Sequence, residues 1–489
     1  MPAARRDDLL VVLAALLPLA LFLVRERAIA GAAGFPLDDS WIHLHFARNL
    51  AEGAGFSYNP GRPVAGSTAP LWTIALALGT LVAGASLVMT KIAGAAATLA
   101  AGLLTRRAAL AWGAPPGTAL VAAVALVWTG AMAWGALSGM EVGLAALLVA
   151  AALLAHARGR PIPTALFAAL AALARPEAIV LLPLFVLSER PVLRRALLFA
   201  GVAAVVLAPA VLFSLATVGT PLPATAAAKI EGGLIGWLSG VREPAAVTWL
   251  RRPWEFLSAW LGWLAATHWL LPLAVVPGIA LAWWRAGRRL GLVALALLAH
   301  PLAMALLAPY RDPAFQEGRY SMHLLPLAFV ALAVAAPRAR RTATAVLALT
   351  LALALLPMPR AADRYAWAVQ NINAMQVHLG WWVDRHVPKT ARIAMNDIGA
   401  IGFVSRREVI DLMGLVTPEI LPYRRRGESG VIEYVRQTCP DYVIIFPTWF
   451  PELAQRTELL DPVYRVRLEH NLVSGGDEMV VYRLTRCAV

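Results

Sequence analysis

The residue types able to do chemistry gather first in Leu37-Asp38-Asp39-Ser40-Trp41-Ile42-His43-Leu44-His45-Phe46-Ala47-Arg48-Asn49. Two adjacent carboxylates stand just beyond an apolar segment and precede a helix-like run in which residues 42, 45, 46 and 49 share one face. Paired acids beside a membrane are costly unless they are wetted, paired or used. Such a pair has three uses. One member can take a proton from a substrate, the pair can hold a divalent cation, or Asp39 or Ser40 can cap the helix that follows. Each carboxylate raises the proton affinity of its neighbour near a low-dielectric surface, which suits proton transfer near neutrality.

The elements that must position this pair are membrane spans. The 489-residue chain is 60% hydrophobic and 15% charged, with a mean hydropathy of +0.66. No soluble protein of this length hides so much apolar surface. Its net charge of +14 comes from Lys and Arg in short clusters between apolar segments, a pattern of cytoplasmic loops and not of nucleic-acid binding. Candidate spans are 9–24, 87–104, 118–134, 140–157, 162–175, 177–188, 195–215, 267–284, 290–308, 322–336 and 343–357, so the expectation is a polytopic α-helical membrane protein with about eleven crossings. Arg5-Arg6 precede the first apolar run and Arg25-Glu26-Arg27 follow it in place of a clean cleavage site, which reads as a retained span. The segment 70–84 is apolar too. Counting it as a crossing would put Arg106-Arg107 and every later basic cluster through Arg338, Arg340 and Arg341 outside. Counting it as an interfacial helix puts them all inside.

With the N-terminus inside, five segments holding ionisable residues fall outside: the 25–69 loop, Ser138-Gly139-Met140-Glu141, Arg175-Pro176-Glu177, residues 219–252 and residues 309–320. Their recurrence on one side reads as a shared external cavity. Arg175, Lys229, Arg311 and Arg319 are cations of that side, suited to a phosphate, although an Arg at a span end also snorkels to headgroups. After Pro357-Met358-Pro359 the composition turns polar, and residues 361–489 read as a small extracytoplasmic α/β domain. Its strands are expected at 391–396, 408–412, 441–446 and 479–484, with helices at 363–386, 430–438 and 451–460. Asn396 and Asp397 follow the first strand end, a usual place for α/β sites. Cys439 and Cys487 are too few for a disulfide framework or a zinc site, and can form one bridge outside the cytoplasm.

In order along the chain, Leu37-Asp38-Asp39, Ala47-Arg48-Asn49-Leu50-Ala51-Glu52-Gly53 with Gly55-Phe56, Ser67-Thr68-Ala69-Pro70-Leu71-Trp72, Ser138-Gly139-Met140-Glu141, Arg175-Pro176-Glu177, Pro221-Leu222-Pro223 with Lys229, and Gly318-Arg319-Tyr320 resemble the GT-C glycosyltransferases. The likeness is to the branch of cell-wall arabinofuranosyltransferases and covers most of residues 1–336. Asn396-Asp397-Ile398-Gly399-Ala400-Ile401-Gly402 and Asp411-Leu412-Met413-Gly414-Leu415 resemble the extracytoplasmic domain of that branch. The chain departs from the branch at Ala224-Thr225-Ala226-Ala227-Ala228, where an Asn and aromatic residues are expected.

The resemblance implies a GT-C-like domain over 1–360, with a catalytic first external loop at 25–69 and the interfacial helix at 70–84, followed by the domain at 361–489. It implies an inverting transfer on the outer face of a bacterial cytoplasmic membrane, from a polyprenyl-phosphate sugar to a cell-envelope glycan or glycolipid. Asp38 is then the base with Asp39 beside it, and Arg319, Lys229 and Arg175 hold the donor phosphate. His45, Arg48, Glu141, Glu177, Tyr320, Asn396 and Asp397 are candidates for sugar or acceptor contacts, with an ion pair as the alternative for Arg175 and Glu177. No cofactor or metal is required by the resemblance, while the Asp38/Asp39 pair keeps a divalent cation open. The alternative reading is a transporter or flippase of lipid-linked sugars, which would want ionisable residues deep in the spans and a repeated span pattern. Neither is visible in the sequence.

Overall fold

A computed structural model describes residues 3–336 and 349–485. The chain divides into two compact units, one from residues 1–23, 91–209 and 230–362, the other from 24–90, 210–229 and 363–489.

The first unit is helical. Among the described residues, five helices are long and apolar enough to cross a membrane: Arg5–Ala30, Leu87–Ala111, Val192–Val218, Pro272–Leu307 and Phe315–Ala335. A sixth counts if Pro116–Val127 and Gly130–Leu137, bent by 55°, form one broken span. The chain is thus a multi-pass membrane protein, and Leu193, Leu197, Val205 and Leu212 on one of these helices stand exposed, as lipid-facing side chains do. Length and composition alone give fewer crossings than the eleven expected. The segments expected at 140–157, 162–175 and 177–188 become helices of 16 and 14 residues and a 3₁₀ turn running into a seven-residue helix. At 1.5 Å per residue these are shorter than the roughly 30 Å hydrocarbon core. The segments at 267–284 and 290–308 join across a kink at Gly287, where φ is 67°. Residues 343–348 of the last expected span, with Arg338, Arg340 and Arg341, lie outside the described residues. Close helix packing rests on glycine. A Cβ on Gly94 would stand 2.3 Å from the Ala136 carbonyl oxygen, and one on Gly143 would stand 2.9 Å from that of Gly94.

The second unit holds a five-stranded mixed sheet, with β1 at Arg392–Met395, β2 at Glu408–Asp411, β3 at Tyr442–Ile445, β4 at Leu460–Arg467 and β5 at Glu478–Leu484. Their order is β2-β1-β3-β5-β4, parallel across β2-β1-β3 and antiparallel at β5 and β4. Successive side chains of β1 point to opposite faces. Ile393 and Met395 join one core with Ile42, Phe46, Tyr58, Met375 and Leu379, while Ala394 joins the other with Val431, Val435 and Val443. Ile42 and Phe46 belong to the helix Asp38–Ala51, so the run read as helical does pack one apolar face, and it packs it on the sheet. Pro70–Ala83 is a 14-residue apolar helix, short for a crossing, with Ile74, Leu78, Leu81 and Val82 exposed.

Four strands lie within one or two residues of their expected places, and the helix expected at 430–438 runs Glu428–Thr438. The helix expected at 451–460 is corrected: it spans only Pro451–Ala454, and the chain then enters β4. That strand is an edge with Pro462, an irregular register after it and half its residues exposed, so its alternation is weak in the sequence. The seven-residue helix Gly399–Ser405, not anticipated, connects β1 to β2. Cys439 is disulfide-bonded, and Cys487 lies outside the described residues.

Candidate active site

In the second unit the chain brings Asp38 and Asp397 together from opposite ends of the sequence. Strand β1 ends at Met395, and Asn396, Asp397 and Ile398 lead into the helix Gly399–Ser405. The backbone N–H groups of Gly399 and Ala400 each donate to one Asp38 carboxylate oxygen, both at 2.7 Å. Asp38 therefore caps a helix that is not its own. Its own helix begins at Asp38 after Leu37 and has no side-chain cap, so the capping use expected of Asp39 or Ser40 is not made. Glycine is required at 399, because a Cβ there would stand 2.0 Å from the Asp38 carbonyl oxygen.

Burial pushes the Asp38 carboxyl up to about 6, against the pull of the Ala400 and Gly399 hydrogen bonds, and the Asp39 charge adds to the rise. Burial, and then the charge of Asp38, holds Asp397 well above the usual carboxylate range. Gln376 Nε2 donates to Asp397 Oδ2 at 2.8 Å and Asn396 Nδ2 to Oδ1 at 3.3 Å. Asn396 Oδ1 in turn accepts the Phe446 N–H at 3.2 Å. Gln376 and Tyr58, whose hydroxyl donates to the Ile398 carbonyl, hold this corner and were not singled out in the sequence. Only the motif Asn396–Gly402 signalled it.

Two candidates on the Asp38–Ala51 helix are engaged elsewhere. His45 donates from Nε2 to the Tyr58 carbonyl at 2.9 Å and stacks on the Tyr58 ring at 4.1 Å. Burial, with Arg48 nearby, lowers it to about 3, so it is neutral. Arg48 lies ten residues beyond Asp38, about 15 Å along the helix. Its Nη1 donates to the Phe403 carbonyl at 2.8 Å and its guanidinium lies 4.4 Å over the Phe403 ring. Lys229 is half-buried in the same unit, just after a turn whose Ala224 N–H donates to the Ala65 carbonyl at 2.9 Å. Among the described residues no three of His, Cys, Asp and Glu lie together as a metal-ligand set.

The first unit assembles the other candidates. Arg175 ends the helix Pro161–Ala174 in an extended conformation. It pairs with the fully buried Glu141, and its Nε meets Glu177 Oε2 at 2.8 Å. Its guanidinium lies 4.2 Å over the Tyr320 ring, and that of Arg319 lies 5.0 Å from the same ring. Arg319 Nη2 donates to the Tyr320 hydroxyl at 3.2 Å. Gln316, Glu317 and Gly318, just before it, have φ of 50°, 61° and 81°, a left-handed run that two non-glycine residues rarely share. Trp263 fixes this turn: its Nε1 donates to the Glu317 carbonyl at 2.9 Å, and a Cβ on Gly318 would stand 2.1 Å from its ring. Glu141, Arg175, Glu177, Arg319 and Tyr320, scattered over 180 residues, thus form one buried cluster of two cations and two acids on a shared aromatic ring. Arg311 stands apart as an exposed side chain over Tyr310 and Phe315.

Residues 368–482 match a family described as Domain of unknown function (DUF8728). No curated protein matches the chain. In fold the chain is similar to ArnT from Cupriavidus metallidurans bound to undecaprenyl phosphate, at 13% identity and a TM-score of 0.59, over 96% of this chain and 97% of that one. It is similar also to the oligosaccharyltransferase AglB from Archaeoglobus fulgidus in complex with an inhibitory peptide and a dolichol-phosphate. There the identity is 13% and the TM-score 0.58, over 94% and 73% of the two chains. A second structure of the Archaeoglobus fulgidus oligosaccharyltransferase, a complex with Zn and sulfate, gives 15% identity and a TM-score of 0.57, over 89% and 67%. The GT-C fold implied by the sequence motifs is the fold of this chain.

Proposed function

We propose that the protein is an inverting glycosyltransferase that moves a sugar from a polyprenyl-phosphate donor to a hydroxyl of a cell-envelope glycan or glycolipid. The observation that carries this reading is Asp38. Its carboxylate is held at both oxygens by backbone N–H groups, and burial brings it to about 6. An oriented carboxylate with a proton affinity near working pH is what a general base requires. In the reaction, Asp38 takes the proton of the acceptor hydroxyl, whose oxygen forms the new bond to the anomeric carbon. The bond from that carbon to the phosphate oxygen breaks, and its electron pair leaves with the polyprenyl phosphate.

Arg319 and Tyr320 are assigned to the leaving phosphate, where a guanidinium and a hydroxyl stabilise the charge that develops. Arg175, bound to Glu141 and Glu177, positions Tyr320 through its ring, and the two acids are assigned to sugar hydroxyls. Lys229 is a further phosphate ligand in this reading. Asn396 and Asp397 sit with Asp38 on the acceptor side, and His45 and Arg48 support that side through the backbone they bind. The lipid phosphates held by ArnT and AglB support a lipid-phosphate donor here. The disulfide at Cys439 supports an oxidising compartment for the second unit, and hence the outer face of a bacterial cytoplasmic membrane with the N-terminus inside.

The test is transfer from a panel of polyprenyl-phosphate sugars by the purified full chain, wild type beside Asp38→Asn. The expected result is transfer by wild type and a loss of about 10²–10⁴-fold in the variant, the range general-base help supplies. Equal transfer by both would remove Asp38 as the base. Transfer that survives a chelator fits the metal-free route; transfer abolished by it would place a divalent cation on Asp38 and Asp39. Movement of lipid-linked sugar across vesicles without transfer would favour the flippase reading.

A further inference from the structure

Resting on the transferase reading, we infer that His300 is a positioning residue for Arg319 and Tyr320: through the Ser321 hydroxyl it holds closed the left-handed turn that presents them.

Such a turn does not hold itself. Gln316 and Glu317 are not glycine, yet both have a positive φ, of 50° and 61°, a strain that surrounding contacts must offset. Ser321 supplies two of them. Its N–H donates to the Gly318 carbonyl at 2.8 Å and its hydroxyl to the Pro313 carbonyl at 3.0 Å, so this one residue closes the segment 313–321 around Arg319 and Tyr320. A serine hydroxyl has one hydrogen, and a carbonyl can only accept it. The 2.9 Å contact between His300 Nε2 and Ser321 Oγ is therefore a bond in which the imidazole donates and the hydroxyl accepts, which fixes the His300 proton on Nε2. Both residues are buried, where bulk water does not replace a lost donor.

The helix Pro272–Leu307 places His300 for this bond. Pro301 has no N–H, so the Leu297 carbonyl, four residues earlier, loses its helical donor. Trp260 Nε1 donates to that carbonyl instead, at 2.9 Å. The Trp260 ring then meets the His300 ring edge-on at 5.7 Å, and His323 meets His300 edge-on at 5.3 Å. Trp260 also stacks at 5.3 Å on Trp263, the residue whose Nε1 holds the Glu317 carbonyl. One helical turn, Leu297–Pro301, thus reaches the strained segment by two routes. The Trp260–Trp263 route fixes Glu317, ahead of Arg319 and Tyr320, and the His300 route fixes Ser321, which follows them.

The experiment compares wild type, His300→Gln, His300→Phe and Ser321→Ala as full chains, reading amide hydrogen exchange over residues 313–321 and the Kd for undecaprenyl phosphate. Gln offers an amide N–H near the place of Nε2, and Phe keeps a ring without a donor. His300→Phe and Ser321→Ala should each speed exchange over the segment and weaken binding about tenfold, on the order of one buried hydrogen bond. His300→Gln should bring both readouts back to within about threefold of wild type, and the double variant His300→Phe with Ser321→Ala should lose less than the product of the two single losses. Wild-type exchange and binding in His300→Phe would overturn the inference, as would single losses that multiply in full. Faster exchange with unchanged binding would overturn the positioning role. If wild type itself does not bind undecaprenyl phosphate, the transferase reading fails, and the exchange data still decide whether His300 holds the turn.

Discussion

Asp411 shows how far a buried carboxylate in this chain can be structural. Its oxygens accept the N–H groups of Met413 at 2.8 Å and Val416 at 2.9 Å, and also that of Leu415. Burial still pushes it up to about 6. Asp411→Ala leaves three N–H donors unpaired, of which that of Val416 is buried and costs about 1–3 kcal/mol, so a drop in thermal midpoint of several degrees is expected in a melting scan. An unchanged midpoint would mean that water or a shifted loop replaces the carboxylate. Asp38 and Asp411 share a residue type and an elevated proton affinity, and differ in what they bond. Asp411 closes its own turn, and Asp38 reaches across the fold. The sequence reveals the type of each and not the partner. The same limit applies to His45 and Arg48, whose chemistry is plain in the sequence but whose polar atoms are held by the carbonyls of Tyr58 and Phe403.

At the scale of elements, the site depends on a close crossing of two short helices. The Asp38 backbone passes so near Gly399 that a methyl group does not fit. Gly399→Ala should therefore displace the Asp38 carboxylate without touching a polar side chain. A shift of about 1 Å costs on the order of 10²-fold in rate, so transfer should fall by that factor in a chain that still folds, as seen by its melting curve. Full activity in Gly399→Ala would show that this crossing does not set the position of Asp38. The helix Asp38–Ala51 was legible because its apolar residues recur at helical spacing, and β1, β2, β3 and β5 because each is a short apolar run. The helix Gly399–Ser405 was not, since seven residues with two glycines make less than two turns of pattern. Strand β4 was missed because Pro462 interrupts it and its inward side chains Tyr464 and Val466 are only partly buried, so its alternation is weak.

At the scale of the whole molecule, Asp38, Asp397 and Asp411 place several elevated carboxyls in one unit. An unfolded Asp releases its proton near 3.9. Between about pH 4 and 6 the folded chain therefore binds more protons than the unfolded one, and the contribution of these groups to stability, full at low pH, is lost as pH rises. Relative to Asp38→Asn, the thermal midpoint of wild type should fall across that window. A constant difference would show that Asp38 is not elevated. The span pattern was legible in the sequence as apolar runs, while the count of crossings was not, because short helices such as Pro161–Ala174 are as apolar as long ones.

The hydrogen bonds to Asp38 also join residues 361 and 362 positions apart. At about 5–20 residues per second, a ribosome that has made Asp38 needs roughly 20–70 s to reach Gly399. Through that interval the acidic loop exists without the strand end that completes it. A nascent chain released before residue 400 would thus lack the N–H groups that hold Asp38, and on the proposed reading its transfer activity would be completed only late in synthesis.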